Sequence, residues 1–305
     1  MNRTLRAVLL ALPGVAVLAA SIWGGWWYGS HTEGQQSLIE RLPTADAVVV
    51  SVDFAALRRA GILALFANSK AAEETEYRDF TRQTDFDYTK DLDTAVLSVA
   101  PTGKYILARG RFHWNKLDAY VEAQGGRCDR DFCRMQGSTP DRRISFFPVN
   151  ADVMALAVSA DESAALRLSA SSGAPLNFTA PDAPLWVSVP PSVLQSADAL
   201  PVETRGFAST LARTDSVVLS LIPGTQRSVV KLSVGCRTPT DASDLAAQLT
   251  KLTALLRETF SSGHQTPNPA DLTGVLAAGR FHNDANRVFG EWPLERAFLD
   301  NLKAQ

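Results

Sequence analysis

The sequence has few histidines, few cysteines and no block of basic residues. Four histidines and three cysteines in 305 residues leave little material for a catalytic triad or a zinc site. The sequence also lacks a nucleophile elbow, an H-E-x-x-H segment, a Walker loop and a G-x-G-x-x-G turn. Without a run of lysines and arginines, binding to a nucleic-acid backbone has no electrostatic support. We therefore expect no nucleic-acid partner and no enzyme activity, and we nominate no catalytic residue, cofactor or metal.

The longest uncharged stretch covers residues 7–28 and follows Arg3 and Arg6. About 20 apolar residues, each rising ~1.5 Å in a helix, cross the ~30 Å hydrocarbon core of a bilayer. The stretch ends in an aromatic cluster that suits the outer membrane interface: Trp23, Trp26, Trp27 and Tyr28. The sequence thus predicts an uncleaved, single-pass transmembrane anchor. The alternative is a signal peptide that is cut at the small residues within 17–21.

The charges around this stretch predict its orientation. Arg3 and Arg6 precede it, so the positive-inside rule places the N-terminus in the cytoplasm and the bulk of the chain outside. Beyond the anchor, 28 basic residues face 32 acidic ones, a formal net charge of −4. A single anchor without a multi-helix membrane domain suits the bacterial inner membrane. We therefore expect a periplasmic or other extracytoplasmic location.

The part after the anchor contains an apparent internal duplication. Segments 47–57 and 185–194 both contain Val-Ser-Val and both read as a strand that leads into a helix. Segments 93–101 and 215–223 both read as a strand that ends in a turn, and a second strand follows each of them. A helix, further strands and a closing helix complete each half. The pattern predicts an α+β fold with two similar lobes of antiparallel sheet, each covered by helices.

These patterns divide the chain into six parts. They are a cytoplasmic tail (1–6), the transmembrane anchor (7–28), a juxtamembrane segment (29–42), lobe A (43–170), a linker (171–183) and lobe B (184–305). The linker is rich in Ser, Ala, Gly and Pro, which is typical of connections between domains. Within lobe B the sequence predicts a leucine-rich helix over 241–260 and a strand over 274–281.

Two of the three cysteines, Cys128 and Cys133, are separated by only four residues. This spacing places both thiols across a tight hairpin or loop, and an oxidising compartment would allow a disulfide. The alternative is two reduced, partly buried thiols on a strand. A single C-x4-C pair is a weak signal for zinc. Cys236 follows an apolar strand and is expected to be a small buried residue.

The acidic segment 85–93 contains Asp85, Asp87, Asp91 and Asp93. Carboxylates at short intervals are typical of calcium loops, but this segment lacks the glycine and the glutamate of an EF-hand loop. We interpret it as a solvated connection between a helix and a strand.

The tetrapeptide Gly-Arg-Phe-His occurs at 110–113 and again at 279–282. Two histidines from two similar lobes, His113 and His282, would form a metal or acid–base pair if the fold brought them together. Both lie near strand ends, where a histidine is usually a polar surface residue. We therefore do not assign them a catalytic role.

Three hypotheses for function remain. The first is a non-catalytic envelope scaffold or interaction module, which presents a sheet face or edge to an envelope protein. The alternative is a carrier of an apolar ligand such as a lipid, held in a cleft that the helix over 241–260 would line. The third is an unrecognised hydrolase, whose only nominated residues are His113 and His282.

Overall fold

The computed structural model describes residues 35–63, 75–137, 139, 141–169, 176–195, 202–224, 227–263 and 266–302. These residues form two compact units, unit A up to residue 176 and unit B from residue 177. None of the helices within these ranges is both long and apolar enough to cross a bilayer. The predicted anchor, with Trp23, Trp26, Trp27 and Tyr28, lies outside the described residues and stays a prediction.

Unit A combines an antiparallel sheet with short helices. Its strands are β1 (Val48–Asp53), β2 (Leu92–Ala100), β3 (Gly103–Gly110), β4 (Arg127–Asp129), β5 (Phe132–Gln136), β6 (Arg143–Asn150) and β7 (Val153–Ser159). Its helices are α1 (Gln35–Ile39), α2 (Phe54–Arg59), α3 (Thr75–Thr84), α4 (Tyr88–Asp91), α5 (Trp114–Ala123) and a 3-10 helix (Ala164–Ser169). The strand order is β1-β2-β3-β7-β6-β5-β4, and all neighbours are antiparallel.

Unit B has a smaller antiparallel sheet and one long helix. Its strands are β8 (Leu185–Val189), β9 (Ser216–Ile222), β10 (Arg227–Gly235), β11 (Arg280–Asp284) and β12 (Arg287–Glu295). Its helices are α6 (Pro191–Gln195), α7 (Val202–Leu211), α8 (Pro239–Ser262), α9 (Leu272–Ala277) and α10 (Arg296–Leu302). The strand order is β8-β9-β10-β12-β11, again with antiparallel neighbours.

The two units share one strand order. In unit A the order β1-β2-β3-β7-β6 matches the order β8-β9-β10-β12-β11 of unit B. In both units the last strand in the sequence pairs with the third strand, and the strand that precedes it in the sequence lies outside it. In both units a helix, α5 or α8, follows the third strand. Unit A then adds the β4–β5 hairpin beside β6, whereas unit B has helix α9 at the corresponding point of the chain. Within the described residues, the hairpin is thus the pair of strands that unit A has and the strand order of unit B does not.

Both faces of the unit A sheet are covered. On one face Cys133, Phe146 and Met154 pack against Leu117 and Val121 of α5. These residues alternate along their strands with side chains on the other face, as the pleat requires. Helix α5 is therefore fixed against the inner face of the hairpin.

The opposite face of the unit A sheet carries small, fully buried residues that allow close packing, such as Ser98 and Ser145. The 3-10 helix lies over this face, where Ala165 N donates to Ser145 Oγ at 3.3 Å. The segment before β1 also packs on this face, because Ser98 Oγ donates to Pro43 O and Leu42 is fully buried. Residues 35–42, which the sequence assigns to the juxtamembrane segment, therefore pack within unit A.

The structure corrects one predicted strand in unit B. Residues 272–277 form helix α9, and the strand begins only at Arg280. Asp271 is the reason, because its Oδ1 accepts a hydrogen bond from Gly274 N at 2.7 Å and so caps a helix N-terminus. An apolar run of this length fits a buried helix as well as a buried strand.

Helix α8 begins with a capping box, which predicts a stability effect. Thr238 Oγ1 accepts from Asp241 N, and the Asp241 carboxylate accepts from Thr238 N, both at 3.1 Å. Removing such a cap costs about 1 kcal/mol, so we expect Thr238→Ala to lower the free energy of unfolding of unit B by that amount in urea titrations. Thr240→Ala, an exposed change in the same turn, is the control. Equal losses in both variants would contradict the assigned cap.

Candidate functional site at the disulfide hairpin

Two glycines connect α5 to the added hairpin. The helix ends at Ala123, and Gly125 follows with φ of +78°, a left-handed conformation that favours glycine. Gly126 approaches its neighbours closely, since a Cβ there would lie 2.5 Å from Val121 Cγ1 and 2.6 Å from Arg134 O. The pair therefore lets the chain reverse from α5 into β4 while the helix stays packed on β5.

The hairpin carries the two neighbouring cysteines at directly opposed positions. Cys128 on β4 and Cys133 on β5 are cross-strand partners with Cα atoms 4.0 Å apart. In the structure their Sγ atoms are bonded as a disulfide. Cys133 is fully buried, and Cys128 is half-buried. Oxidation of this pair in the cell stays a prediction, which mass spectrometry after alkylation under non-reducing conditions tests.

The third cysteine lies in unit B. Cys236 is buried and unbonded, and burial raises the pKa of its thiol. Its environment is that of a structural cysteine rather than a reactive one, since a reactive cysteine needs a lowered pKa and access to solvent.

Asp118 of α5 reaches the disulfide from the helix. Its Oδ1 lies 3.2 Å from Cys133 Sγ, and its backbone oxygen lies 3.9 Å from Cys128 Sγ. Burial raises the pKa of the Asp118 carboxyl, and the negative charges of Asp131 and Glu122 raise it further. The ligand atoms of Asp118, Cys128 and Cys133 lie within 4.8 Å of one another. Because both sulfurs are bonded to each other, neither offers a thiolate to a metal ion, and we assign no metal here.

The outer face of the hairpin lines an open cavity of about 280 Å³. Arg127 and Arg134, cross-strand partners on β4 and β5, contribute to it together with Arg143 of β6. Glu162, which precedes the 3-10 helix, accepts from Arg134 Nη1 at 3.4 Å and from Arg143 Nη1 at 2.9 Å. Three guanidinium groups around one carboxylate leave a formal charge of +2. The cavity is therefore suited to an anionic group.

The cavity arginines differ in how firmly they are held. The Arg134 side chain is 30% exposed and also stacks on Phe132, with its Cζ 5.3 Å from the ring centroid. The side chains of Arg143 and Glu162 are both 47% exposed. Ion pairs at this level of exposure contribute about 0–1 kcal/mol to stability, so the fold does not depend on this cluster.

The acidic segment between α3 and β2 forms local caps and ion pairs. Asp85 pairs with Lys116, and this hydrogen bond lowers the pKa of the exposed Asp85 carboxyl. Asp87 caps α4 by accepting from Thr89 N at 2.7 Å. Asp91 accepts from Arg111 Nη2 at 2.9 Å. The three carboxylates thus serve different partners, as a connection between secondary-structure elements requires.

The two Gly-Arg-Phe-His segments occupy different places in the shared strand order. The first follows β3 and leads into α5, whereas the second begins β11. His113 is exposed at the start of α5, and His282 is exposed on β11, stacked on Phe289. Phe112 and Phe281 each join an aromatic cluster of their own unit. The repeat therefore reflects local packing in each unit, and it does not mark equivalent positions.

Comparison with known proteins yields structural matches only. No family model matches the chain, and no curated protein matches its sequence. Crystal form I of TP0453 matches with a TM-score of 0.52 and 8% identity over 89% of this chain and 98% of that chain. Crystal form III of TP0453 matches with a TM-score of 0.51 and 8% identity over 88% and 98%. At this identity the likeness shows the fold alone, a mixed α/β architecture with a large antiparallel sheet and helices.

Proposed function

We propose that this protein is a membrane-anchored, non-catalytic interaction module of the bacterial envelope. In this proposal residues 7–28 tether the chain to the inner membrane, and the two units act outside the cytoplasm. An envelope protein docks on unit A and places an acidic side chain in the arginine cavity. The observation that supports this most strongly is the cavity itself, whose lining includes three arginines and one carboxylate.

The comparison between the two units supports the choice of this site. We propose that the units arose by internal duplication, since they share a strand order of five. The β4–β5 hairpin is then an addition to unit A, and it supplies two of the three cavity arginines, Arg127 and Arg134. A feature added to one copy of a repeated fold is a candidate for the function that distinguishes that copy.

The existing ion pairs indicate the chemistry of the ligand. The Glu162 carboxylate pairs with Arg134 and Arg143. It therefore occupies the guanidinium groups that a carboxylate of another protein would bind. Arg127 forms no ion pair within the described residues, so it provides a further positive charge at the rim. An aspartate or glutamate of a partner protein therefore adds to this cluster or displaces Glu162 from it.

The alternative of an apolar-ligand carrier has weaker support. Leu245 and Leu249 of α8, which would have lined its cleft, are buried in the core of unit B. The lining of the cavity at the hairpin includes four charged side chains. Neither observation favours a lipid.

Crosslinking in cells tests the proposed function. We expect the full-length protein to be crosslinked to an envelope protein, and Arg134→Gln with Arg143→Gln to reduce that product at least tenfold, because one charge-assisted hydrogen bond contributes roughly 1.5–3 kcal/mol and about 1.4 kcal/mol is a factor of ten. The matched control is Arg82→Gln with Arg167→Gln, since these are exposed, ion-paired arginines of unit A outside the cavity. A product that the cavity variant leaves unchanged, or that both variants reduce equally, would show that the cavity is not the docking site.

A further inference from the structure

The contact between Asp118 and Cys133 has no part in the proposed function. A disulfide sulfur carries no hydrogen, so the 3.2 Å contact from Oδ1 to Sγ is a hydrogen bond only when Asp118 is protonated and donates. The carboxyl also lies beside one sulfur in particular. Cys133 is fully buried under α5, whereas Cys128 is the half-buried residue of the pair. The less buried cysteine is therefore Cys128, and the cysteine whose sulfur lies next to the acid is Cys133.

We propose that Cys128–Cys133 is a reducible disulfide and that Asp118 donates the proton to Cys133 when a dithiol reductant opens it. A thiolate of the reductant attacks Cys128 Sγ, and a bond forms between these two sulfurs. The bond between Cys128 and Cys133 breaks, and its electron pair goes to Cys133 Sγ. The Asp118 carboxyl then gives its proton to that sulfur.

The second thiolate of the reductant completes the exchange. It attacks the mixed disulfide, which releases Cys128 as a thiolate and leaves the reductant as a cyclic disulfide. Cys128 and Asp118 each take up a proton from solvent. These two protons balance the two that the thiols of the reductant released to solvent when they ionised. The protein gains two electrons and two protons, and the dithiol loses the same.

The charges around Asp118 favour this role. Asp131, on the turn between β4 and β5, and Glu122, on α5, are both exposed carboxylates that oppose ionisation of Asp118. They also oppose a thiolate at the neighbouring Cys133, so immediate protonation of that sulfur lowers the cost of bond cleavage. Helix α3 packs on α5, and its Asp79 and Arg82 are paired with each other at 2.7 Å. The Lys116 ammonium of α5 is paired with Asp85.

The rate of reduction as a function of pH tests the proposal. The full chain in detergent micelles is treated with dithiothreitol from about pH 5 to about pH 8, and mass spectrometry counts the thiols after alkylation. Each rate constant is divided by the thiolate fraction of the reductant. The corrected rate constant of the wild type is expected to rise as the pH falls, because the protonated fraction of the Asp118 carboxyl rises. In Asp118→Asn this rise is lost, and the value at the acid end is about a hundredfold lower, the low side of a general-acid effect.

A second variant provides an independent test of the same acid. Asp131→Asn removes a negative charge that raises the pKa of Asp118, so the rise is retained but moves to lower pH. The shift of this rise in Asp131→Asn tests the role of Asp118 as the proton donor even if Asp118→Asn fails to fold. The proposal is overturned if dithiothreitol does not reduce the pair, if Asp118→Asn keeps the rise, or if Asp131→Asn leaves it in place.

Discussion

Replacing Gly110 by alanine is expected to lower the free energy of unfolding of unit A by about 3 kcal/mol, at the upper end of overpacking effects. A Cβ at this position would lie 2.0 Å from Asp91 O and 2.8 Å from Leu92 Cα. Both are backbone atoms, so they cannot rotate away as a flexible side chain can. The shift that relieves the clash also strains the bonds from Gly110 N to Asp152 O and from Arg111 N to Asp91 O.

Hydrogen exchange of the full chain locates this loss, because amides of β2 and β3 should exchange faster in Gly110→Ala while those of unit B keep their rates. Urea titration gives its size. Gly206→Ala is the matched control, since a Cβ at this position within α7 would lie 3.5 Å from Leu252 Cδ2, an ordinary van der Waals contact. Alanine there should stabilise the helix by about 0.5–1 kcal/mol. A Gly110→Ala protein as stable as the wild type would mean that the backbone at Asp91 yields easily.

Trp186→Ala is expected to cost unit B about 3–5 kcal/mol, the usual range for removing a buried tryptophan. The side chain is 1% exposed and packs edge-on against Phe178, with ring centroids 5.7 Å apart. Its indole Nε1 is buried without a hydrogen-bond partner among the described residues. The stabilisation therefore comes from packing and burial of the ring, and the N–H adds nothing to it.

Trp186→Phe separates these two contributions. Phenylalanine keeps most of the ring and removes an N–H that makes no bond, so this variant should recover more than half of the stability that alanine loses. Circular dichroism during urea titration measures both variants without relying on tryptophan fluorescence. Equal destabilisation by phenylalanine and alanine would show that the indole N–H stabilises the native state.

Much of the fold is predictable because its strands have local signals. Alternation and turn residues predict the hairpins of both halves, and Gly125-Gly126 predicts the end of α5. Domain limits depend on tertiary contacts and are harder to predict. Within the predicted linker, Asn177 Nδ2 donates to Asp215 O at 3.1 Å and Ala183 is buried, so residues 177–183 pack as part of unit B.

The candidate site is less predictable, since it depends on packing between distant segments. Arg127, Arg134 and Arg143 come together only because β4, β5 and β6 pair in a particular register. Asp118 meets Cys133 only because α5 packs on the inner face of the hairpin. One sequence signal was present, an arginine next to each cysteine, at 127 and at 134. Across an antiparallel pair linked at those cysteines, these arginines must share the other face.

The place of the hairpin at the end of unit A's strand order bears on how such chains acquire new surfaces. Strand β4 pairs with β5 in the described part of the chain, so residues can be gained or lost there without breaking the ladder of the five shared strands. Within its described residues, unit B has the same ladder without a counterpart of the β4–β5 hairpin. Under the duplication that we propose, unit B keeps the ancestral set of five strands. The edge of the unit A sheet can then gain inserted strands under selection while its own five strands stay paired.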